Sequence, residues 1–176
     1  MSNPYTPLVN QKMAYARQVF SAIGDSNGEL VQRQTSVALM DSCCMQLAAA
    51  YRSFLRELAS HYRAGQVEMI RSAQQLRKAL QSMSIMAPEV NEWFMLESPE
   101  VTATSWLELL LLAAADANDP QVGGAIKGAS GQSSDLIAVV EVARATKPEL
   151  SVELLKGWIA ELDAMITRQR EAIQEC

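Results

Sequence analysis

The chain has 176 residues, of which 49% are hydrophobic and 20% are charged, with a net charge of −5. This composition is typical of one globular domain and unlike a disordered chain. The acidic balance argues against a general nucleic-acid or anionic-membrane binder, because such proteins need a basic face. The N-terminus shows no signal-peptide pattern, and the longest apolar run, 109–115, is too short to span a bilayer. We therefore expect a soluble, cytoplasmic protein.

The first third of the chain predicts two long helices. Thr6-Pro7 combines a hydroxyl cap with a proline at the first helical position, which predicts a helix over 7–23. Residues 29–64 lack glycine and proline and repeat apolar residues in a heptad frame, which predicts a second helix over 28–64 that ends at Gly65. We expect the following apolar residues to face the core: Val9, Met13, Ala16, Phe20 and Ile23 on the first helix, and Leu30, Val37, Met40, Cys44, Leu47, Tyr51, Phe54 and Leu58 on the second.

The middle of the chain predicts three further helices. Apolar residues spaced four and three apart indicate a helix over 66–85, with Met69 and Met83 among its inward positions. A short helix over 88–97 follows Ala87-Pro88, and Ser98-Pro99 is a cap-plus-proline start for a helix over 99–117. Because that last helix is apolar nearly all round from Trp106 to Ala115, we expect it to be the buried centre of the bundle.

The C-terminal third begins with a flexible glycine-rich loop, predicted over 118–134. Residues 135–143 are rich in β-branched residues without strict alternation, so we predict an irregular or extended segment there, with a helix as the alternative. A final helix is predicted over 151–174, with Leu155, Trp158, Leu162, Met165, Ile166 and Ile173 inward. The whole chain, 1–176, is thus predicted to be a single all-α domain. Its architecture is an up-down bundle of four main helices plus the C-terminal helix.

His61 is the only histidine, which limits the available chemistry. Di-iron bundles need two Glu-x-x-His motifs, and zinc sites need several histidines or a Cys-x-x-Cys pair, so we expect no metal and no cofactor. Cys44 and His61 lie about 25 Å apart along one helix, too far for a nucleophile and its base. The heptad frame instead predicts that His61 is a partly buried, hydrogen-bonded structural residue. We find no catalytic constellation and expect a protein that is not an enzyme.

Arg56 and His61 do form an Arg-x-x-x-x-His string, which resembles the motif of the HEPN superfamily of helical, often dimeric ribonucleases. That resemblance implies an RNA-processing bundle that uses both side chains. Five residues along a helix separate the two by about 140°, with Arg56 outward and His61 inward. The hypothesis therefore requires that a cleft or a symmetry axis bring them together.

The remaining function classes are binding ones. Trp93 and Phe94 lie in a short capped segment between longer helices, which makes them candidate exposed anchors for a protein partner. Most of the nine methionines occupy stripe positions and are interpreted as core residues. Isologous dimerisation through the second helix is a further hypothesis. An apolar pocket near Trp106 would instead make the chain a small-ligand carrier.

Three segments resemble a family of short bacterial helical proteins that carries a domain of unknown function. They are Asn10–Arg17 near the start, Asp135–Val139 before the last helix, and Arg168–Glu171 in that helix. The resemblance spans nearly the whole chain. It implies a helical fold and assigns no activity. Together with the absence of a catalytic pattern, it favours a non-enzymatic interaction or structural protein.

Overall fold

A computed structural model describes residues 3–23, 30–98, 104–118 and 149–174. These ranges contain no strand, which confirms the predicted all-α class. The predicted segment 135–143, and the predicted loop 118–134 beyond Asn118, lie outside the described residues. The helices are α1 (Thr6–Ile23), α2 (Leu30–His61), α3 (Ala73–Ser82), α4 (Pro88–Glu97), α5 (Trp106–Asn118) and α6 (Val152–Gln174), with a 3-10 turn at Val67–Met69.

α2 is the centre of the bundle, and two sets of contacts fix the directions of its neighbours. Asn3 donates a hydrogen bond to the Glu57 carbonyl, and the Cys43 thiol donates to the Ala16 carbonyl, so α1 runs antiparallel to α2. Arg17 pairs with Asp163, and Arg170 donates to Asn10, so α6 runs antiparallel to α1. It follows that α2 and α6 are parallel neighbours.

The predicted apolar stripes of α1 and α6 are confirmed at most positions. Val9, Met13, Ala16 and Ile23 are buried on α1, while Phe20 is partly buried against the core. On α6, Ile173 is likewise partly buried, whereas the other five predicted residues are buried: Leu155, Trp158, Leu162, Met165 and Ile166.

The heptad frame of α2 fails at its N-terminal end, where Val37 is 53% exposed. Val37 keeps the apolar spacing of the frame, but periodicity within one helix does not determine whether another helix covers a given residue. An apolar residue in the correct frame therefore faces solvent here.

The predicted helix over 66–85 is wrong in its first third. A 3-10 turn occupies Val67–Met69, and α3 begins only at Ala73, where the Ser72 hydroxyl accepts a hydrogen bond from the Gln75 N–H. The backbone of Gln66 has a φ of 54°, which an α-helix does not accommodate. Met69 and Met83, both predicted inward, are 58% and 42% exposed.

α5 also differs from the prediction. It begins at Trp106, because the Ser105 hydroxyl accepts a hydrogen bond from the Glu108 N–H and so caps the helix there. Residues 99–103 lie outside the described residues. Only one face of α5 is buried, and Ala115 is exposed. α5 therefore flanks α2 and is not the buried centre of the bundle.

The end of α2 is set by Arg63 rather than by Gly65. Arg63 is left-handed with a φ of 54°, and the N–H groups of Arg63 and Ala64 donate to the carbonyls of Ser60 and Ala59. These two hydrogen bonds form a Schellman motif, which usually places glycine at the left-handed position. The glycine that predicted the end of the helix lies two residues too late.

Gly157 lies inside α6, and a Cβ added there would meet no atom within 4 Å. Glycine in a helix interior is less favourable than alanine by roughly 0.5–1 kcal/mol. We therefore expect Gly157→Ala to raise the free energy of unfolding by about that amount. Urea denaturation followed by circular dichroism measures the change. An unchanged or lower stability would contradict the described environment of α6 at this residue.

Candidate functional site

The exposed methionines are concentrated around α3 and α4. Met83, Met86 and Met95 are 42%, 95% and 47% exposed, and Met69, just before α3, is 58% exposed. The sequence interpretation of the methionines as mainly core residues is therefore wrong for this part of the chain. Methionine is unbranched and polarizable, and it is common on surfaces that adapt to a partner.

A groove lies between the end of α3 and the start of α4, and we call it the α3–α4 groove. Two backbone features shape it. Ser84 is left-handed with a φ of 58°, and the N–H groups of Ser84 and Ile85 donate to the carbonyls of Gln81 and Leu80, which ends α3 in a second Schellman motif. Pro88 then starts α4 at once. The groove is lined by Arg77, Leu80, Gln81, Ile85, Met86, Ala87, Pro88, Val90 and Asn91.

One edge of the α3–α4 groove is basic. α3 carries Arg77 and Lys78 and no acidic residue, and Arg71 precedes it. The Arg77 guanidinium lies 4.3 Å from the centre of the Phe94 ring, a cation–π contact that holds this side chain over α4. A local positive edge thus borders an apolar groove in a chain whose net charge is −5.

The prediction that Trp93 is an exposed anchor is wrong, because this residue is 0% exposed. Its ring contacts the rings of Tyr51, Phe54 and Trp106, and its indole N–H donates to the Gln169 side-chain oxygen at 2.7 Å. Phe94 is partly buried beneath Arg77. The short helix therefore holds its larger aromatic residue inward, and its exposed large apolar residue is Met95.

Polar contacts hold α4 against α6 and against Tyr62, directly after α2. Gln169 donates from its amide nitrogen to a Glu92 carboxylate oxygen at 3.0 Å, and Arg168 pairs with the other oxygen of Glu92. The Tyr62 hydroxyl donates to Glu89 at 2.9 Å. Glu89, in the first turn of α4, and Glu92 are therefore already paired with neighbouring parts of the chain.

A second polar cluster joins the three long helices. Arg170 donates to both carboxylate oxygens of Glu57, at 2.9 and 2.7 Å, and to the Asn10 side-chain oxygen at 2.9 Å. Its guanidinium also lies 5.8 Å from the centre of the Phe54 ring. Arg170 and Asn10 belong to two of the segments that carry the family resemblance, and the fold brings these segments together.

Arg56 and His61 are not brought together within the chain. The Arg56 side chain donates to the Ile70 carbonyl at 3.1 Å, which ties it to the segment before α3. His61 is exposed and contacts the Tyr62 ring edge-on, and it lines a different groove beside Arg170. The prediction that His61 is partly buried is wrong, because it lies in the last turn of α2.

The remaining titratable groups show where burial dominates. Burial raises the pKa of the Cys43 thiol to about 11, which makes it a poor nucleophile at neutral pH.

The described residues contain no group of three potential metal ligands and no helix long and apolar enough to cross a membrane. The Trp106 ring packs edge-on against Trp93 and lines neither the α3–α4 groove nor the grooves beside His61 and Val37.

Glu97 is the one carboxyl group, among the described residues, whose environment clearly disfavours ionisation. Burial raises its pKa, although the backbone N–H of Gln74, at the start of α3, donates to it at 3.3 Å. The buried Tyr51 hydroxyl has its own pKa raised by burial and by the nearby charge of Glu97. It has no hydrogen-bond partner within normal distance among the described residues. The Glu97 carboxyl thus belongs to a partly buried polar cluster under α3.

The architecture is that of an α-helical bundle whose clearest surface feature is an apolar groove that includes Met86 and has Arg77 at one edge. Comparison with known families assigns no activity. The chain belongs to a family of unknown function (DUF6586), whose model matches residues 6–176. This confirms the resemblance to an uncharacterised domain. No curated protein and no solved structure matches the chain.

Removing the Glu57 charge tests the cluster that joins the three helices. The Glu57 side chain is 10% exposed and that of Arg170 24%, so Glu57→Ala leaves a mostly buried guanidinium without its carboxylate. We expect the free energy of unfolding to fall by about 2–3 kcal/mol. Asp163→Ala is the control, because its pair with Arg17 is half exposed and should contribute less than about 1 kcal/mol. Similar losses in both variants would contradict this assignment.

Glu97→Gln should stabilise the protein more at pH 7 than at pH 4. Because the folded pKa of Glu97 lies above its ordinary value of 4.5, its favourable contribution is complete below that value and is lost as the pH rises through the folded pKa. A neutral glutamine avoids this loss. Denaturation midpoints at both pH values measure the effect. Glu161→Gln, at an exposed position of α6, removes the same charge and should show a smaller pH dependence.

Proposed function

We propose that this protein acts by binding another protein, and that the α3–α4 groove receives an apolar, acidic segment of that partner. The observation that carries the proposal is the exposure of methionines at and near one groove. Met86 is 95% exposed and lines the groove, while Met83, directly after α3, and Met95, on α4, are also exposed. Solvent exposure of large apolar side chains is unfavourable unless a partner covers them, and a cluster of them is typical of interaction sites.

The chemistry of the partner follows from the charge of the groove. Arg77 lines the groove, and Lys78 is the next residue of α3. Glu89 and Glu92 of α4 are already paired with Tyr62 and Arg168. An acidic partner would complete the basic edge, and charge complementarity favours correct docking over other orientations. The apolar lining would bind leucine, isoleucine or methionine side chains of the same segment.

We also propose that the role is not catalytic and that the protein acts in the cytoplasm. His61 is exposed at the end of α2, away from Arg56, and Cys43 is buried with a raised pKa, so neither offers an evident activated nucleophile. Adjacent buried thiols at Cys43 and Cys44 suit a reducing compartment.

A synthetic peptide tests the groove directly. The probe is an amphipathic helical peptide of about 15 residues, with leucines on one face and glutamates beside them. Protein labelled with carbon-13 at its methionine methyl groups is titrated with this peptide. We expect the signals of Met83, Met86 and Met95 to shift, and those of Met13 and Met165, which are 3% and 7% exposed, to stay in place.

Two controls make the result specific. The same peptide with lysine in place of glutamate should bind more weakly, because it meets the basic edge with like charge. Met86→Glu should weaken binding of the acidic peptide roughly tenfold or more. Met45→Glu, at an exposed methionine on α2, should leave it unchanged. No binding of the acidic peptide, or equal binding by the Met86→Glu protein, would overturn the proposal.

A further inference from the structure

The N-terminal half of α2 presents a second, separate surface, which does not involve the α3–α4 groove. Val37 is 53% exposed, and it lies in a shallow depression lined by Arg33, Gln34, Ala38 and Asp41. It lies on the face of α2 opposite Glu57, because the two residues point about 160° apart around the helix, so the Glu57–Arg170 contact with α6 is on the other side of α2. An exposed β-branched apolar residue is thus framed by one positive and one negative charge.

The spacing of these residues makes the surface self-complementary. Arg33, Val37 and Asp41 follow one another at intervals of four, so they form one ridge of the helix, with about 6 Å between successive residues along its axis. Along the ridge, the side chains of Arg33, Val37 and Asp41 are positive, apolar and negative in turn. Rotation by 180° about an axis that passes through Val37 perpendicular to the helix reverses that order. Each charge of one copy then meets the opposite charge of the other.

We propose that two copies of this chain associate through this ridge, with a two-fold axis at Val37. Arg33 of each copy then lies beside Asp41 of the other, and the two Val37 side chains meet at the axis. Ala38, next to the axis, is small enough to let the helices approach closely.

The charge order favours a second copy over an unrelated partner. An isologous contact requires that the same patch complement itself, which few surfaces satisfy. Among the described residues, neither Arg33 nor Asp41 has an ion-pair partner in its own chain, so both are available to a second copy. The two charges are about 12 Å apart along the helix and do not neutralise each other directly.

Charge reversal tests the contact in the full-length chain. Sedimentation or light scattering at about 100 µM should show a dimer for the wild type. Arg33→Glu and Asp41→Arg each place like charges opposite one another, and each should weaken the dimer at least roughly tenfold. The double variant carries both reversals, restores opposite charges at both contacts and should dimerise again. Lys156→Glu, an exposed charge reversal on α6, should leave the dimer unchanged.

A cross-link tests the position of the axis without altering either charge. Val37→Cys, in a chain that also carries Cys176→Ser, should form a disulfide between copies under copper-phenanthroline oxidation, because a residue on a two-fold axis lies next to its own copy. Lys156→Cys in the same background should cross-link far less. A wild-type monomer at about 100 µM would overturn the proposal. So would a dimer that resists both single reversals, a folded double variant that stays monomeric, or failure of Val37→Cys to cross-link.

Discussion

Arg170 donates to both carboxylate oxygens of Glu57 and, through its third nitrogen, to Asn10, so a single guanidinium joins α6 to α2 and α1. The three nitrogens of a guanidinium point in fixed directions within one plane. A shift of α6 by one residue would rotate Arg170 by about 100° and break all three contacts. Since Glu57 is 8% exposed, such a shift would also leave a buried carboxylate without its cation. This requirement sets the register of the long helices.

The same turn of α6 also supports the candidate site. Gln169 precedes Arg170, accepts from the Trp93 indole and donates to Glu92, while Arg168 pairs with Glu92 from the other side. The contacts with α6 therefore fix the position of α4, with Trp93 buried between them. The side of α4 that faces away keeps Asn91 and Met95, one turn apart, at the surface. The α3–α4 groove is thus carried by a supported helix, which suits a preformed docking site.

The second surface lies on the N-terminal half of α2, on the face opposite Glu57. At 100° per residue, Val37 points about 160° away from Glu57 around the helix axis, so the contact of Glu57 with Arg170 leaves Val37 on the other side of α2. The two proposed contacts differ in chemistry. One combines adaptable methionines with a positive edge and suits a different protein. The other alternates charge around an apolar centre and suits a copy of itself. Because they lie on different helices, both partners could be bound at once.

The sequence by itself determined the all-α class, the extents of α1, α4 and α6, and which faces of α1 and α6 are buried. These properties follow from local capping and from 3.6-residue periodicity, which act within one helix. The sequence also indicates the exposure of Met86, because this large apolar residue lies in a break between two helices. Periodicity alone, however, cannot say whether a neighbour covers a stripe. Val37 and Met83 keep the correct spacing and yet are exposed, while Trp93 is buried through its contact with Gln169, 76 residues away. Only the tertiary structure, through the contacts between helices, decided which apolar residues became core and which became surface.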